Sequence, residues 1–366
     1  MRPAASLTLA ALLPLVALSC AAPDRPPCAA PEGPRQLGSL CGFENPEDVE
    51  VVSTAGLLLV SQMRIGARGG SLAAWPLEGG APRLLWPPPE GATAATAAGP
   101  AVGDPSCTTP PGAESFSPHG ISTVPDAERG SISVGVVAHG DREAIELFEL
   151  RGRGVDARLH WRGCVPTPGS IAANDLSLAS LNDFIASSYQ PCTSGLAGLW
   201  HSIRGGLGLE TGEVLHWHDG GWTSVPSSGG ANPNGVLFDR EGEIVFAAET
   251  GRGVVARIDL AGGERSEVEI EGHPDNLSRS ADGRVLVVSH ASGLSFLRCA
   301  LVGGPCRAPW TLDAIDPESL ARERLIEHDG SVLGASSSAS VGEGAIFLGA
   351  VFGDRIGVWQ RPSPAR

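Results

Sequence analysis

The stretch EIVFAAETGRGVVARIDLAGG, residues 243–263, contains two short apolar runs, each followed by a glycine-rich turn. Short runs of β-branched and aliphatic residues bounded by Gly, Asp or Ser are typical of buried strands. The stretch therefore predicts a strand, a turn and a second strand that ends in a hairpin. The same unit returns along the chain, so it indicates the fold of the whole protein.

Six such strand cores can be counted, and no long segment shows the periodicity of an extended helix. Six cores over about 310 residues give roughly 50 residues per unit, a spacing typical of the blades of a β-propeller. We therefore predict an all-β fold, a six-bladed β-propeller. A β-sandwich is the alternative, but it does not need so many similar units. The cores are Gly56–Val60, Ser131–Val137, Asp183–Ala186, Glu243–Phe246, Arg284–Val288 and Ala345–Leu348.

The N-terminus has the features of an export signal. An uncharged apolar run follows Met-Arg and ends at Ser19, and Val16–Cys20 resembles a bacterial lipobox whose cysteine becomes lipidated. An ordinary cleaved signal with an incidental cysteine is the alternative. We predict a lipoprotein-type signal peptide over 1–19, a flexible tether over 20–40 and the propeller over 41–362. The protein would then be exported, anchored to the outer membrane through Cys20 or free in the periplasm or medium.

Charge and cysteine content limit the partners and the compartment. The 366-residue chain has a formal charge of −15, which argues against nucleic-acid partners. Seven of the eight cysteines follow Cys20, and in an exported chain they predict disulfides. We expect Cys299 to pair with Cys306 across a hairpin-like turn, and Cys164 with Cys192 is a second candidate pair. The odd count leaves at least one thiol outside such pairs.

Two stretches interrupt the strand pattern. Residues 87–115 are rich in Pro, Gly and Ala and predict a loop. Residues 194–209 carry apolar residues at helical spacing, although Gly195, Gly198, Gly205 and Gly206 weaken the helix. This segment is either a lid over a functional site or a packed surface excursion.

Several predicted strands start with carboxylates or carboxamides, and Pro118–Ser122 adds a histidine between the first two. In a propeller, strands of different blades converge on the central tunnel, so distant segments can share one site. Side-chain oxygens of this kind are the ligands that Ca²⁺ prefers, and His119 beside them is a candidate general base. The sequence thus predicts a central calcium-binding tunnel, with ligands Glu47, Asn174, Asn234, Asp275 and Asn276.

The order and local sequence of these segments resemble the paraoxonase/arylesterase family of six-bladed, calcium-dependent lactonases. The resemblance covers roughly residues 40–355, and its short motifs are specific only as an ordered series. The matching stretches are Asn45–Glu50, Pro118–Ser122, Ala138-His139, Ile145–Phe148, Asn174-Asp175, Asn234–Val236, Pro274–Ser278 and Ser289-His290.

The resemblance implies hydrolysis of lactones or aryl esters in a tunnel with two calcium ions. The catalytic ion would bind the five ligands above, and a structural ion would bind Asp48, Asp175 and the backbone carbonyl of Ile121. His119 would be the general base with His139 behind it as a dyad, and a calcium-bound hydroxide is the alternative base. The resemblance places His290 in the pocket lining.

The chain departs from the family at two places. No cysteine follows Cys306, so we expect strand pairing near Ile356–Trp359 to close the propeller. Ser187–Tyr189 stands where the family has Asn-Asp-His. Two other functions stay open: a gluconolactonase-like hydrolase with one metal, and a non-catalytic propeller that calcium stabilises and that binds a partner at the cell surface.

Overall fold

The computed structural model describes residues 26–64, 69–88, 102–169, 171–193 and 195–362. Its strands form six four-stranded antiparallel sheets. The first strands of the sheets contact one another in a ring, which makes the fold the predicted six-bladed β-propeller. The predicted signal peptide 1–19, the lipidation candidate Cys20 and residues 89–101 of the predicted insertion lie outside the described residues.

The blades follow one another along the chain, and each runs from a tunnel-lining strand to an outer strand. Blades 1 to 3 consist of β2 Pro46–Val52, β3 Leu57–Gln62, β4 Ser71–Pro76 and β5 Arg83–Trp86; β6 Phe116–Asp126, β7 Ser131–Gly140, β8 Ala144–Arg151 and β9 Arg158–Pro166; and β10 Ile171–Ser180, β11 Asp183–Pro191, β12 Glu213–His218 and β13 Gly221–Ser224. Blades 4 to 6 consist of β14 Pro233–Asp239, β15 Ile244–Glu249, β16 Val254–Asp259 and β17 Arg265–Glu269; β18 His273–Arg279, β19 Val285–His290, β20 Trp310–Ile315 and β21 Arg322–His328; and β22 Ser336–Val341, β23 Ala345–Ala350, β24 Arg355–Gln360 and β1 Leu37–Cys41.

All six predicted cores fall on the second strands of the blades: β3, β7, β11, β15, β19 and β23. A second strand has strands on both sides and neighbouring blades on both faces, so its side chains are buried in both directions. Leu57, Leu58, Leu59 and Val60, for example, are fully buried. This burial explains why continuous apolar runs mark these strands in the sequence.

The propeller is closed by its two chain ends. Strand β1 pairs with β24, from Leu37 opposite Trp359 to Cys41 opposite Arg355. This is the strand pairing that the sequence predicted near Ile356–Trp359. Strand β1 begins four residues before the boundary predicted at 41, and a disulfide from Cys28 to Cys41 fixes the segment that precedes it.

The disulfides confirm one predicted pair and correct the other. Cys299 pairs with Cys306, whereas Cys164 pairs with Cys107 and not with Cys192, which is free and exposed. Cys107 reaches Cys164 because backbone hydrogen bonds from Val102 and Asp104 hold residues 102–107 alongside β9. Three disulfides are typical of an exported protein.

Two helices interrupt the strands, α1 Gly195–Gly206 and α2 Gly293–Val302. The sequence indicated α1 but not α2, and the turn that it predicted between Cys299 and Cys306 begins only at Gly303, after the helix. Ser292 caps the start of α2, and Gly303 ends it in the left-handed conformation. Both helices follow a second strand and expose apolar side chains, including Leu196, Trp200, Leu294 and Leu301. No helix in the described part of the chain is long and apolar enough to cross a membrane.

Candidate active site

The tunnel-lining strand of every blade has a break in its register near its first residues, and β10 also has further shifts between Ala172 and Ala173 and between Leu178 and Ser180. At each break the strand carries extra residues relative to its partner, and such a β-bulge redirects side chains. Proline precedes four of the breaks, which an edge strand tolerates because its amides face the tunnel. The breaks contain Glu47 in β2, His119-Gly120 in β6, Asn174-Asp175 in β10, Asn234-Gly235 in β14, Asp275-Asn276 in β18 and Ser337-Ser338 in β22.

The breaks bring the predicted ligands of the catalytic ion to one end of the tunnel. We call this end the upper end and these ligands the upper set. A cavity of about 320 Å³ opens there between the blades, and no arginine stands among the described residues that line it. Asn276 Nδ2 donates to Glu47 Oε1 at 2.9 Å, so residues 229 positions apart are in direct contact. The cavity wall includes Glu47, His119, Asn174, Asn234, Asp275 and His290.

Four buried oxygens of this set have no hydrogen-bond partner within the described part of the chain. They are Glu47 Oε2 and the amide oxygens Oδ1 of Asn174, Asn234 and Asn276. Leaving a buried acceptor unpaired costs about 1–3 kcal/mol, so such a group is expected to bind an ion or an ordered water. Four such oxygens together with the Asp275 carboxylate fit a hard cation that prefers oxygen donors. No group of three or more described His, Cys, Asp or Glu side chains has the arrangement of a metal site, and amides make up much of the set here.

The electrostatics of the tunnel agree with the need for a cation. Burial, followed by the charges of Asp48 and Asp275, raises the pKa of Glu47 well above its ordinary value. Burial also raises the pKa of Asp48 to about 7, and burial with the Asp48 charge raises that of Asp175. The four carboxylates are at most 6% exposed. Carboxyl groups that are this close together and shielded from water cannot all ionise without a positively charged partner.

The predicted ligands of the structural ion lie in a second cavity of about 450 Å³, further along the tunnel, which we call the lower cavity. Asp48 Oδ2 accepts from the backbone amide of Ile121 at 2.7 Å, and Asp175 Oδ2 accepts from the amide of Val236 at 2.9 Å. Each carboxylate therefore connects its own blade to the next one. Asp48, Asp175 and Ile121 all line this cavity.

The histidines of the site are arranged in two groups. His119 Nδ1 and His139 Nε2 are hydrogen bonded at 3.2 Å, and His119 Nε2 lies 3.7 Å from Glu47 Oε1. Burial, followed by the charge of His139, lowers the pKa of His119, so its ring is neutral at neutral pH. On the other side of the cavity, His290 Nε2 hydrogen bonds to Asp275 Oδ2 at 2.8 Å and holds that carboxylate in place.

Sequence reasoning missed several residues of the cavity wall. Phe296 of α2 packs on the His290 ring, so α2 lines the cavity. No described residue of α1, the segment that the sequence left open between a lid and a surface excursion, lines it. Tyr189, the single tyrosine of the chain, also lines it. Burial and then the Asp275 charge raise its pKa to about 12, so it keeps its hydroxyl proton at neutral pH. Thr250 orients Asn234, whose Nδ2 donates to Thr250 Oγ1 at 3.1 Å. An aromatic residue on a helix or strand, or a threonine just after a strand, carries no sequence signal for these roles.

The sixth blade contributes two serines to the position of Glu47. Ser337 and Ser338 each donate a hydroxyl hydrogen bond to the backbone carbonyl of Glu47. The sequence identified no functional residue in this blade, because serines at a strand entry are ordinary surface residues. Their bulge lies near the start of β22, as the bulges of the other tunnel-lining strands do. The sixth blade therefore also contributes to the ring of residues around the ligands.

Gly120 allows a close approach between the tunnel strands β6 and β10. A Cβ added there would lie 2.5 Å from Asp175 Oδ1 and 2.7 Å from Asp175 Cα. We expect Gly120→Ala to lower the free energy of unfolding by about 1–3 kcal/mol, because β6 must move away from β10. Urea unfolding measures the change.

Gly221→Ala is the matched control for Gly120→Ala. No heavy atom of the described residues lies within 4 Å of its added Cβ. The control should change the free energy of unfolding by no more than about 0.5 kcal/mol. Equal effects of the two substitutions would contradict the close approach.

Comparisons with known proteins agree with this geometry. Residues 102–356, well over half of the chain, match the protein family described as Arylesterase. Among solved structures, a gluconolactonase from Xanthomonas campestris is similar, with 15% identity, coverage of 89% of this chain and 90% of that chain, and a TM-score of 0.52. Luciferin-regenerating enzyme is also similar, with 10% identity, coverage of 87% and 92%, and a TM-score of 0.51. At these identities the two structures support the fold alone. No curated protein matches the chain in sequence.

Proposed function

Because this chain belongs to the arylesterase family, we propose that it hydrolyses lactones or aryl esters with the help of Ca²⁺ at the upper end of the tunnel. One observation carries the proposal. Within the described residues, three unpartnered buried oxygens, from Glu47, Asn174 and Asn234, border a single cavity beside the imidazole of His119, and a fourth belongs to Asn276, which donates a hydrogen bond to Glu47. A cation completes the bonding of these oxygens, and the cavity leaves room for an ester group.

The residues of the cavity have distinct roles in this reaction. Glu47, Asn174, Asn234, Asp275 and Asn276 would hold the ion, which would supply polarisation of the ester carbonyl and stabilisation of the oxyanion. His119 takes a proton from the attacking water through its neutral ring, and His139 supports it from behind.

The walls of the cavity set which part of the substrate goes where. Phe296 and Met63 supply apolar surface for the acyl chain or the aromatic ring of an ester. His290 keeps Asp275 in one orientation through its hydrogen bond. A lactone or an aryl ester has both a polar reacting group and an apolar body, which suits this division.

A second calcium ion is proposed for the lower cavity, held by Asp48, Asp175 and the carbonyl of Ile121. The support is the burial of two neighbouring carboxylates whose pKa values are both raised. These two acids favour the two-ion enzyme over a gluconolactonase-like hydrolase with one metal. The ion would stabilise the joint between the blades that both side chains bridge.

The cellular place of the enzyme follows from its proposed export. The three disulfides fit a chain that folds outside the cytoplasm. We propose that the segment before residue 20 is a signal peptide and that lipid on Cys20 attaches the enzyme to the outer membrane. Mass spectrometry of the membrane fraction would detect a diacylglyceryl group on Cys20.

His119→Gln is expected to lower kcat by about 100-fold, because a general base contributes about 10²–10⁴-fold to such reactions. The assay is a screen of lactones of graded chain length and of aryl acetates, with and without Ca²⁺. His216→Gln is the control, because His216 lies on β12 and pairs with Asp183 outside the cavity.

Two outcomes would contradict the proposed function. Equal turnover by the wild type and His119→Gln would show that His119 is not the general base. A chelator that lowers the melting temperature, with no ester hydrolysed by the wild type, would instead favour the non-catalytic calcium-stabilised propeller.

A further inference from the structure

A third side chain continues the histidine pair away from the cavity. His139 Nδ1 and Glu143 Oε2 are 2.6 Å apart, and His139 Nε2 is 3.2 Å from His119 Nδ1. The three side chains thus form one hydrogen-bonded row that ends with His119 Nε2 at the cavity. His119 and His139 lie on adjacent strands, and Glu143 lies in the turn that joins β7 to β8.

The turn holds Glu143 in a defined place. The Glu143 carbonyl accepts hydrogen bonds from both the backbone amide and the hydroxyl of Thr167. Gly140 has φ of 142°, and a Cβ there would lie 2.2 Å from the Ser115 carbonyl oxygen, so this turn requires glycine. Arg142, the adjacent cation, donates to Glu146 at 2.7 Å and to the Thr109 carbonyl. The hydrogen bonds of Arg142 are thus made elsewhere, and the Glu143 carboxylate bonds to His139.

The chemistry of the carboxylate then decides where the imidazole protons reside. An ionised carboxylate only accepts hydrogen bonds, so His139 must carry its proton on Nδ1. His139 Nε2 is then an acceptor, and His119 must donate from Nδ1. His119 Nε2 is left with a free lone pair toward the cavity. Two neutral histidines without the carboxylate could equally adopt the opposite arrangement, with the His119 proton on Nε2 and no base at the cavity.

We propose that Glu143 is a positioning residue for the ester hydrolysis and fixes the tautomers of His139 and His119. This inference rests on the proposed function only for its kinetic consequence. In the reaction, water oxygen bonds to the carbonyl carbon while a water proton moves to His119 Nε2. The carbon–oxygen bond of the ester then breaks, and the leaving oxygen takes the proton back from His119. Glu143 keeps the row in the orientation that accepts that proton and offsets the transient positive charge, as the aspartate does in a Ser-His-Asp triad.

The first measurement reads the tautomers directly. Long-range ¹H–¹⁵N spectra of the nine histidine rings distinguish protonated from bare ring nitrogens. Spectra of His119→Gln and His139→Gln assign the two signals. We expect His139 to carry its proton on Nδ1 in the wild type and to become a mixture of tautomers in Glu143→Ala. Glu143→Asp, which keeps a carboxylate, should restore part of the Nδ1 form.

The second measurement is kinetic. Glu143→Ala is expected to lower kcat by at least about 10-fold with KM changed less than about twofold, because partners behind a reacting histidine matter by about 10–100-fold. Glu128→Ala is the control, since Glu128 is an exposed acid in the β6–β7 turn of the same blade. Glu143 is itself about a quarter exposed, so we expect both variants to fold with unchanged melting temperature.

The outcomes separate this inference from the proposed function. A change of tautomer together with a loss of kcat supports the positioning role. An unchanged Nδ1 form in Glu143→Ala overturns it, whether or not kcat falls, since a loss of kcat alone would be structural. If the wild type hydrolyses no ester, the proposed function fails, and the spectra alone decide whether Glu143 orients the histidines.

Discussion

Replacing Glu47 with Gln is expected to weaken calcium binding by at least about 100-fold and to abolish most of the ester hydrolysis. No group among the described residues hydrogen bonds to the buried Glu47 Oε2, and the carboxylate is one of the two charged members of the upper set. The number of charged ligands sets the affinity of a calcium site, and changes behind the ligands alone cost about 10–100-fold. Isothermal titration with Ca²⁺ and lactone turnover in the same buffer measure both effects.

Glu343→Gln is the matched control for Glu47→Gln. Glu343 is exposed in the turn between β22 and β23, at the opposite end of the tunnel, and the substitution removes the same charge. We expect its calcium affinity to stay within about twofold of the wild type, because exposed charges that far away are screened.

The metal-free stability separates loss of a ligand from misfolding. Without calcium, Glu47 is a buried acid among like charges, so Glu47→Gln should be at least as stable as the wild type in chelator. A lower melting temperature of the metal-free variant would indicate a damaged fold. Unchanged calcium affinity in Glu47→Gln would remove Glu47 from the ligand set.

The sequence predicted the parts of the fold where one physical requirement dominates. Second strands are enclosed on all sides, so runs such as Leu57–Val60 must be apolar. The tunnel-lining strands are not visible in this way, because half of their residues are polar. Their starting points were found instead through carboxylates and carboxamides that repeat at strand entries. The six register breaks explain why these residues converge, and the Pro that precedes four of them is a signal that the sequence offers.

The parts that the sequence did not predict depend on contacts between distant segments. Cys164 pairs with Cys107 because residues 102–107 lie along β9, and no local pattern encodes that position. Helix α2 is short and ends at Val302, directly before the two glycines that suggested a turn. Glu143 looks like an ordinary acid in a turn, and only the fold shows that its carboxylate reaches His139.

Metal-free protein is expected to lose stability as the pH rises from about 4 to about 7. Burial raises the pKa of Asp48 from its ordinary value to about 7, and those of Glu47 and Asp175 are raised as well. In this window the folded state binds more protons than the unfolded chain, so each further pH unit favours unfolding. For Asp48 alone, a rise of about three units corresponds to a loss on the order of 4 kcal/mol by pH 7.

Surface acids paired with arginines are expected to lose stability as the pH falls, whereas the buried acids lose it as the pH rises. The direction of the pH dependence therefore distinguishes the two groups of acids. The hydrogen bond from Arg252 lowers the pKa of Glu267, so this pair contributes stability above about pH 4.5 and loses it only in more acidic solution. A loss of stability between pH 5 and 7 must therefore come from acids whose pKa values are raised. The calcium-loaded protein should show a smaller loss, because a bound ion keeps its carboxylates ionised and competes with protons. The part that remains is expected from Glu50, whose pKa burial raises to about 8 and which is not among the proposed ligands.

Urea unfolding at pH 4.5, 5.5, 6.5 and 7.5 measures how stability depends on pH. One sample is stripped with chelator and desalted into metal-free buffer, and the other contains excess Ca²⁺. The difference between the free energies of unfolding with and without Ca²⁺ should increase with pH. As the carboxylates lose their protons, they become available to bind Ca²⁺. Asp48→Asn should flatten the slope of the metal-free protein, because the amide cannot titrate. A metal-free stability that stays level or increases between pH 5.5 and 7.5 would show that these buried acids have ordinary pKa values. The tunnel would then have no electrostatic need for a cation, and the reason for placing calcium between the blades would be lost.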